Sequence, residues 1–325
     1  MPHQTSILVT GGAGFIGSHA CKALARRGYV PITYDNLSRG HREAVKWGPL
    51  EVGDIADQAR VREVMDRHRP AAVMHFAAFA YVGESVENPL LYYRNNVSGT
   101  TALLEAISPE CPPFVFSSTC ATYGIPQQIP ITEDHPQNPV NPYGQTKLII
   151  ERMLADLSRS SPLRWVALRY FNAAGSDPDA EIGEMHDPEP HLIPRVLMAA
   201  RDGVKVQILG TDYDTPDGSC VRDYVHVSDI AEAHLLALEY LLAGGKSSAV
   251  NLANARGHSV KEVIAAAERV CGRKIAAEAS PRRPGDPPSL VGSADLAREL
   301  LGWQPSRSQL DVQIADAWRW FKQRR

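Results

Sequence analysis

Tyr143 and Lys147 stand four residues apart in Asn141-Pro-Tyr-Gly-Gln-Thr-Lys147. On a helix that spacing puts a phenol and an ammonium on one face. A free tyrosine has a pKa of about 10, too high for a base at neutral pH. A nearby ammonium and a positively charged nicotinamide ring both favour the phenolate. Such a pair can take a proton from a substrate hydroxyl while the carbon bearing it gives up hydride. By itself the pattern also suits an exposed helix face. It gains meaning from a second stretch, Thr10-Gly-Gly-Ala-Gly-Phe-Ile-Gly17. Gly11, Gly14 and Gly17 follow an apolar run and open a helical one. Glycines there let the backbone approach a pyrophosphate, and the helix N-terminus supplies N–H groups and a favourable dipole. Asp35 lies 18 residues past Gly17. An acid at that place accepts hydrogen bonds from ribose hydroxyls and repels the 2′-phosphate of NADP, so the expected cofactor is NAD.

A third stretch, Phe116-Ser-Ser-Thr-Cys-Ala-Thr-Tyr-Gly124, offers hydroxyls just past an apolar run. Ser117, Ser118, Thr119 and Thr122 are candidates to face the same site, some of them as turn formers only.

The elements that must position these groups alternate. Strands are expected at Ser6–Thr10, Val30–Asp35, Leu50–Val52, Ala72–Phe76, Phe114–Ser117 and Trp165–Arg169. Helices are expected at Ala13–Arg27, Asp57–His68 with Asp57 as N-cap, Pro89–Ala106 and Pro142–Ser160. This alternation predicts an α/β fold, a doubly wound parallel sheet of Rossmann type. Ala72, Val73, Met74 and Phe76 would be apolar on both faces, as a sheet covered on both sides requires. The second half is less regular. Ser176–Pro190 reads as an extended loop and Pro281–Pro288 as a Pro/Gly-rich one. Helical segments are expected at Leu192–Arg201, Val227–Leu242, Ser259–Cys271 and Ala294–Leu300. The expected division is a dinucleotide domain over 1–170 and a smaller α/β substrate lobe over 171–325, with the chain re-entering the first domain around 221–253.

Composition narrows the class. The chain has 325 residues, 44% hydrophobic and 22% charged, with a formal charge of −3. That suits a globular protein with a sizeable core and argues against a nucleic-acid surface. No apolar stretch approaches the ~20 residues needed to span a bilayer, and no signal-type segment stands at the N-terminus, so a cytoplasmic protein is expected. Cys21, Cys111, Cys120, Cys220 and Cys271 are scattered, without a C-x-x-C pair. Neither a disulfide framework nor a zinc site is indicated. The eleven histidines form no H-E-x-x-H or other ligand cluster, so no metal is expected.

Taken together, these motifs make the chain similar to the extended short-chain dehydrogenase/reductase family, and within it to the UDP-hexose 4-epimerases. The resemblance spans essentially the whole chain. Besides the stretches above it rests on Gly83-Glu-Ser-Val86, Asn95-Asn-Val97, Arg169-Tyr-Phe-Asn172, Val221-Arg-Asp-Tyr-Val-His226 and Arg282-Arg-Pro-Gly-Asp286. It implies an NAD site lined by Gly11, Gly12, Gly14, Phe15, Ile16, Gly17, Asp35, Asn36, Asp54, Ile55, Phe76, Ala77, Ala78, Ala80, Asn95, Lys147 and Phe171. Tyr143 would be the base, Lys147 would bind the nicotinamide ribose and tune Tyr143, and Thr119 would hydrogen-bond the sugar oxygen. Many family members carry Ser where Thr119 stands. Asn172, His191, Leu192, Gln207, Ile208, Arg222, Arg283 and Asp286 would hold a UDP-sugar, with Leu290 on the side of the sugar's N-acetyl group. A pyrophosphate carries two charges and suits arginine forks, which supports Arg222 and Arg283 independently. The alternative for these arginines is a surface ion pair, such as Arg222 with Asp223.

The reaction follows from what is missing. Related dehydratases place an Asp-Glu pair after the catalytic Thr, and decarboxylating relatives place a Glu nearby. Here Cys120 and Ala121 follow Thr119, leaving machinery for hydride and hydroxyl-proton transfer only. The expected activity is inversion of C4 of a UDP-hexose, UDP-glucose to UDP-galactose, through a transient 4-keto sugar, with NAD regenerated each cycle. UDP-pentose or UDP-N-acetylglucosamine 4-epimerisation remains open, as does a non-catalytic NAD-sensing role. Leu148, Ile149, Ile150, Met153, Leu154 and Leu157 form an apolar arc wider than one stripe. With Leu90, Leu91, Tyr92 and Tyr93 it implies, by the family resemblance, a homodimer; the alternative is ordinary core packing.

Overall fold

The computed structural model describes residues 5–283 and 286–324. Its first half alternates strand and helix: β1 Ser6–Thr10, α1 Phe15–Arg26, β2 Val30–Asp35, β3 Leu50–Val52, α2 Gln58–His68 and β4 Ala72–His75. Then come α3 Val82–Glu87, α4 Pro89–Tyr92, a π-helical segment Tyr93–Ser98, α5 Gly99–Ile107, β5 Phe114–Thr119, α6 Pro142–Ser160 and β6 Trp165–Tyr170. The second half holds β7 Asn172–Ala174, α7 Leu192–Asp202, β8 Val206–Leu209, β9 Val221–His226, α8 Val227–Leu242, β10 Ser248–Leu252, β11 Gly257–Ser259 and α9 Val260–Cys271. It ends with β12 Ala277–Ser280, β13 Ser289–Leu290, α10 Asp295–Leu301 and α11 Leu310–Gln323.

Seven strands form one all-parallel sheet in the order β3-β2-β1-β4-β5-β6-β10. Strand residues alternate between two cores. Ile7, Val9, Met74, Val115 and Leu168 pack under α1, α8 and α10, while Leu8, Val73, Phe114, Phe116 and Ala167 pack under α2, α5 and α6. Burial on both faces explains why these strands read as apolar runs. The strand order reverses between β1 and β4, so a crevice opens at their carboxyl ends, where ligands bind in such sheets.

The return of the chain to this sheet comes through α8 and β10, which pairs with β6. β9, by contrast, belongs to a small second sheet with β7, β11 and β13. β8 and β12 form a separate parallel pair, and α7, α9 and α11 close a third core around Val196, Leu197, Val263, Ile314 and Trp318. Residues 176–190 contain no helix or strand, as the sequence implies.

Candidate active site

Thr119 ends β5 and Tyr143 sits in the first turn of α6, and local chemistry fixes both. Asn141 caps α6 by accepting from the Gly144 N–H at 2.8 Å, and Pro142 takes the first-turn position where no N–H is needed. A Cβ on Gly144 would stand 2.5 Å from the Ala121 carbonyl oxygen, so this glycine lets the helix dock on the loop after β5. Tyr143 and Lys147 are both buried. Lys147 Nζ donates to the Ser117 carbonyl at 2.7 Å and lies 6.0 Å from the Tyr143 ring centroid.

The expected phenolate rests on the ammonium and a positively charged nicotinamide ring together, and without that ring burial prevails. Burial is the largest influence on Tyr143 and pushes its pKa up, with Tyr170 adding to the rise; the Thr119 hydroxyl pulls it down. Burial also brings Lys147 down to about 7, opposed by Glu151 one turn further along α6. The cavity therefore keeps the phenol protonated until further positive charge arrives.

Of the hydroxyls at the end of β5 and just past it, Thr119 and Ser117 line the cavity. Ser118 turns away and donates to Glu151 at 2.5 Å, and Thr122 donates back to the Thr119 carbonyl at 3.0 Å as a turn former. Ser117 Oγ is hydrogen-bonded to the Tyr170 hydroxyl, which leaves Thr119, whose Oγ1 also accepts from Ala121 N at 3.1 Å, as the hydroxyl beside Tyr143.

One cavity of about 530 Å³ runs from the glycine turn to the second lobe. Gly11, Gly14, Phe15, Ile16, Gly17, Asp35, Asn36, Ile55, Phe76, Ala77, Ala78, Ala80, Asn95, Lys147 and Phe171 line it. The residues suit a dinucleotide. No side chain caps α1 at Gly14, and a Cβ there would meet only the Gly11 carbonyl oxygen at 3.3 Å, leaving the helix N-terminus open to an anion. Gly11 has φ +72°, and a Cβ on it would stand 2.5 Å from the Ala77 nitrogen. The Asp35 carboxylate accepts from Ala13 N at 3.0 Å and Leu37 N at 2.8 Å, one per oxygen. Each oxygen keeps a lone pair for a ribose hydroxyl.

Two expected dinucleotide positions lie outside the cavity lining. Gly12 packs against β2, where a Cβ would meet the Thr33 side chain at 3.0 Å. Asp54 is spent on the turn after β3: it accepts from Asn36 Nδ2 at 2.8 Å and from Ala56 N at 2.9 Å. On the sugar side, Asn172, His191, Leu192, Gln207, Arg222, Arg283, Asp286 and Leu290 line the cavity. Ile208 does not, because strand alternation turns it into the core under α7 and α9 while Gln207 and Leu209 face outward. Arg222 approaches Asp286, at 3.6 Å, and not its neighbour Asp223. Asp223 is fully buried and accepts from Asn254 N at 2.9 Å. Arg283 also pairs with Asp286, at 2.8 Å.

Several lining residues escaped sequence reasoning. Arg195 lies on α7 one turn past His191, and helix periodicity could have found it. Arg39 lines the glycine end, stacked 4.9 Å from the ring centroids of both Phe79 and Tyr81. The fold also gathers potential ligands that the sequence did not suggest. The loop before α7 gathers Glu184, His186, Glu189 and His191, whose ligand atoms all lie within 4.8 Å of one another. Their spacing, E-x-H-x-x-E-x-H, has no regular period, so only the folded loop brings them together.

The NAD dependent epimerase/dehydratase family model matches residues 7–253. The chain belongs to that family. Within it, a UDP-glucose 4-epimerase of Rhizobium leguminosarum bv. trifolii is 53% identical over 319 residues, 97% of each chain. A UDP-glucose 4-epimerase of Brucella ovis, solved in complex with NAD, superposes with a TM-score of 0.94 at 53% identity, covering 97% of this chain and 98% of that one. A UDP-glucose-4-epimerase of Stenotrophomonas maltophila, with bound NAD and formylated UDP-arabinopyranose, gives a TM-score of 0.95 at 38% identity, covering 98% of each.

Proposed function

We propose that this chain interconverts UDP-glucose and UDP-galactose by inverting C4 of the hexose, with bound NAD as its cofactor. The observation that carries the reading is the meeting of Thr119, Tyr143 and Lys147 in the same cavity as the glycine turn and Asp35. Full-length identity of 53% to UDP-glucose 4-epimerases supports it.

NAD supplies reversible hydride transfer at the sugar carbon when bound. Tyr143 takes the 4-hydroxyl proton and later returns it, and Thr119 holds that oxygen in line. Lys147, fixed by Ser117, holds the nicotinamide ribose, and its protonated form, which burial disfavours and Glu151 supports, supplies positive charge beside the phenol. Arg222, Arg283 and Asn172 grip the diphosphate end, so the keto sugar alone turns to present its other face. Leu290 bounds the sugar pocket on the side of a 2-substituent. Residues 1–170 carry the cofactor half of this work and 171–325 the sugar half, with α8 and β10 returned to the first sheet. The chain works as a homodimer without nucleic-acid or membrane partners, and its substrate pool is cytoplasmic. No helix among the described residues is long and apolar enough to cross a membrane.

The test is turnover without added cofactor. Purified protein should convert UDP-glucose to UDP-galactose with no NAD supplied, because the carrier is regenerated each cycle. Tyr143→Phe should lose turnover by about 10²- to 10⁴-fold while still retaining NAD. Dependence on external NAD with stoichiometric NADH release, or undiminished turnover in the variant, would refute the reading. The ratio of kcat/KM for UDP-glucose, UDP-N-acetylglucosamine and UDP-xylose fixes the preferred sugar.

A further inference from the structure

The loop between β7 and α7 carries two groups of potential ligands, and they differ in one respect. Asp177, Asp179 and Glu181 converge, but a cation already stands among them: Lys22 Nζ is 2.7 Å from Asp177 and 3.1 Å from Asp179. Glu184, His186, Glu189 and His191 converge with no lysine or arginine among them; their counter-charge is the His191 imidazole, whose charged form burial disfavours but Glu184 and Glu189 favour more strongly, raising it to about 10. Among the described residues no lysine or arginine pairs with Glu184 or Glu189, although both carboxylates are buried, with 5% and 7% of their side-chain surface exposed. Two other buried carboxylates are matched by a fixed cation, Glu151 by Arg169 at 2.6 Å and Glu51 by Arg67 at 2.8 Å, while Asp35, Asp223 and Asp229 are held by backbone N–H groups.

We infer that Glu184, His186, Glu189 and His191 form a binding site for one divalent cation of the zinc class. Both imidazoles turn the same nitrogen, Nδ1, toward the same carboxylate oxygen. His186 Nδ1 lies 2.9 Å and His191 Nδ1 2.7 Å from Glu184 Oε1. His191 Nδ1 is also 2.9 Å from Glu189 Oε1, and His186 Nδ1 is 3.8 Å from Glu189 Oε2. Zinc bound to imidazole nitrogen and carboxylate oxygen at about 2.0–2.2 Å sets tetrahedral ligand separations of about 3.3 Å. The four separations bracket that value, so small side-chain shifts suffice. Binding would release the proton that His191 carries in the metal-free protein; two carboxylates and two neutral imidazoles then sum to −2, which a divalent ion neutralises. Nitrogen and oxygen ligands without thiolate suit zinc or cobalt.

The surroundings give the ion a structural job. Met185 O accepts from His41 Nε2 at 2.8 Å and Glu184 O accepts from Trp320 Nε1 at 3.1 Å, so the segment is already tied to the glycine end of the cavity and to α11. The His186 ring packs edge-on to Tyr81 at 5.4 Å and to Phe15 at 6.3 Å. A metal here straps this segment across the dinucleotide end of the cavity. It touches no reacting atom and adds no step to the proposed epimerisation.

Metal content of the full-length protein tests this apart from turnover. After chelator treatment and dialysis, titration with zinc ion should give one bound Zn²⁺ per chain by calorimetry, and elemental analysis of the reloaded protein should agree. The double variant His186→Ala, Glu189→Gln should lose at least about tenfold in zinc affinity, since losing even one metal-site group costs that much. Cobalt(II) loaded in place of zinc should show intense visible bands of a tetrahedral site in the wild type and lose them in the variant. Wild-type protein that takes up no zinc, or a folded variant that binds it equally well, overturns the inference. If the variant does not fold, the wild-type cobalt spectrum decides: tetrahedral bands support the site, and weak octahedral bands overturn it.

Discussion

Lys147 is an ionisable group buried for function, at a cost in stability. Its pKa falls from 10.5 unfolded to about 7 folded, because burial disfavours the ammonium more than Glu151 supports it. Between about pH 7 and pH 10 the unfolded chain holds a proton that the folded chain has released. Stability therefore rises with pH across that window, by up to about 1.4 kcal/mol per unit from this group. Lys147→Met should abolish the rise, and should raise the melting temperature of cofactor-stripped protein at pH 7 while turnover collapses. Denaturation of both proteins from pH 7 to 9.5 gives the comparison; parallel curves would mean that Lys147 stays charged in the folded chain. Glu151 does not compensate fully because it is committed elsewhere. It accepts from Arg169 at 2.6 Å and from Ser118, and Arg169 in turn reaches the Tyr123 hydroxyl at 2.9 Å. That buried network anchors α6 to β5 and β6.

At the scale of elements, the start of α6 and the end of β5 set the distance between Tyr143 and Thr119. Asn141 caps α6 two residues before the phenol. Asn141→Ala should cost about 1 kcal/mol in urea unfolding. It should also lower kcat more than it raises KM, because a frayed first turn displaces Tyr143 and leaves the sugar-nucleotide grip of the second lobe intact. A fall in KM affinity with unchanged kcat would contradict this. The Asn141 cap was not read, but the proline and the extent of α6 were legible in the sequence, as were the six strands from β1 to β6 to within two residues. Each is a long apolar run or carries a chemical stop signal. The strands of the second lobe were not legible. β7 and β11 have three residues each and β13 two, too short for any alternation to register. The helix expected over Pro89–Ala106 is continuous but widens into a π segment at Tyr93–Ser98. There Asn95 reaches the cavity wall while buried Asn96 donates to Phe79 O at 3.0 Å and Thr146 Oγ1 at 3.1 Å. The residues Asn95 and Asn96 were visible; the bulge that separates their roles is a matter of packing against α6. α3 and α11 were missed, although α11 carries the core residues Ile314 and Trp318.

Across the whole molecule, the apolar residues that suggested a dimer divide into two sets. Ile150 and Leu154 are buried in the core beneath the sheet, Leu148 is buried, and Tyr92 is buried with its hydroxyl donating to Glu84 at 2.7 Å. These serve the monomer. Leu90 is 75% exposed and Leu91 40%, and Ile149 is half-buried, as are Met153 and Leu157, which also touch the core; Val86 at 62% and Val140 at 44%, not among the residues that suggested the dimer, add to the exposed set. α3, α4 and α6 are in mutual contact, so they bring most of this second set to one side of the chain. An exposed apolar cluster on paired helices is what a helix-to-helix dimer buries. A stable interface needs about 800 Å² from each partner, which two helices per subunit can supply. Leu90→Glu places a charge at a position already open to water, so it costs the isolated chain little. In a two-fold interface the same change enters twice, once from each subunit. Light scattering should therefore give twice the chain mass for the wild type and a shift toward the monomer for the variant, with melting temperature becoming less dependent on protein concentration. A wild type that elutes as a monomer, or a variant that keeps the dimer mass, would remove this face from the assembly and return its leucines to the ordinary surface.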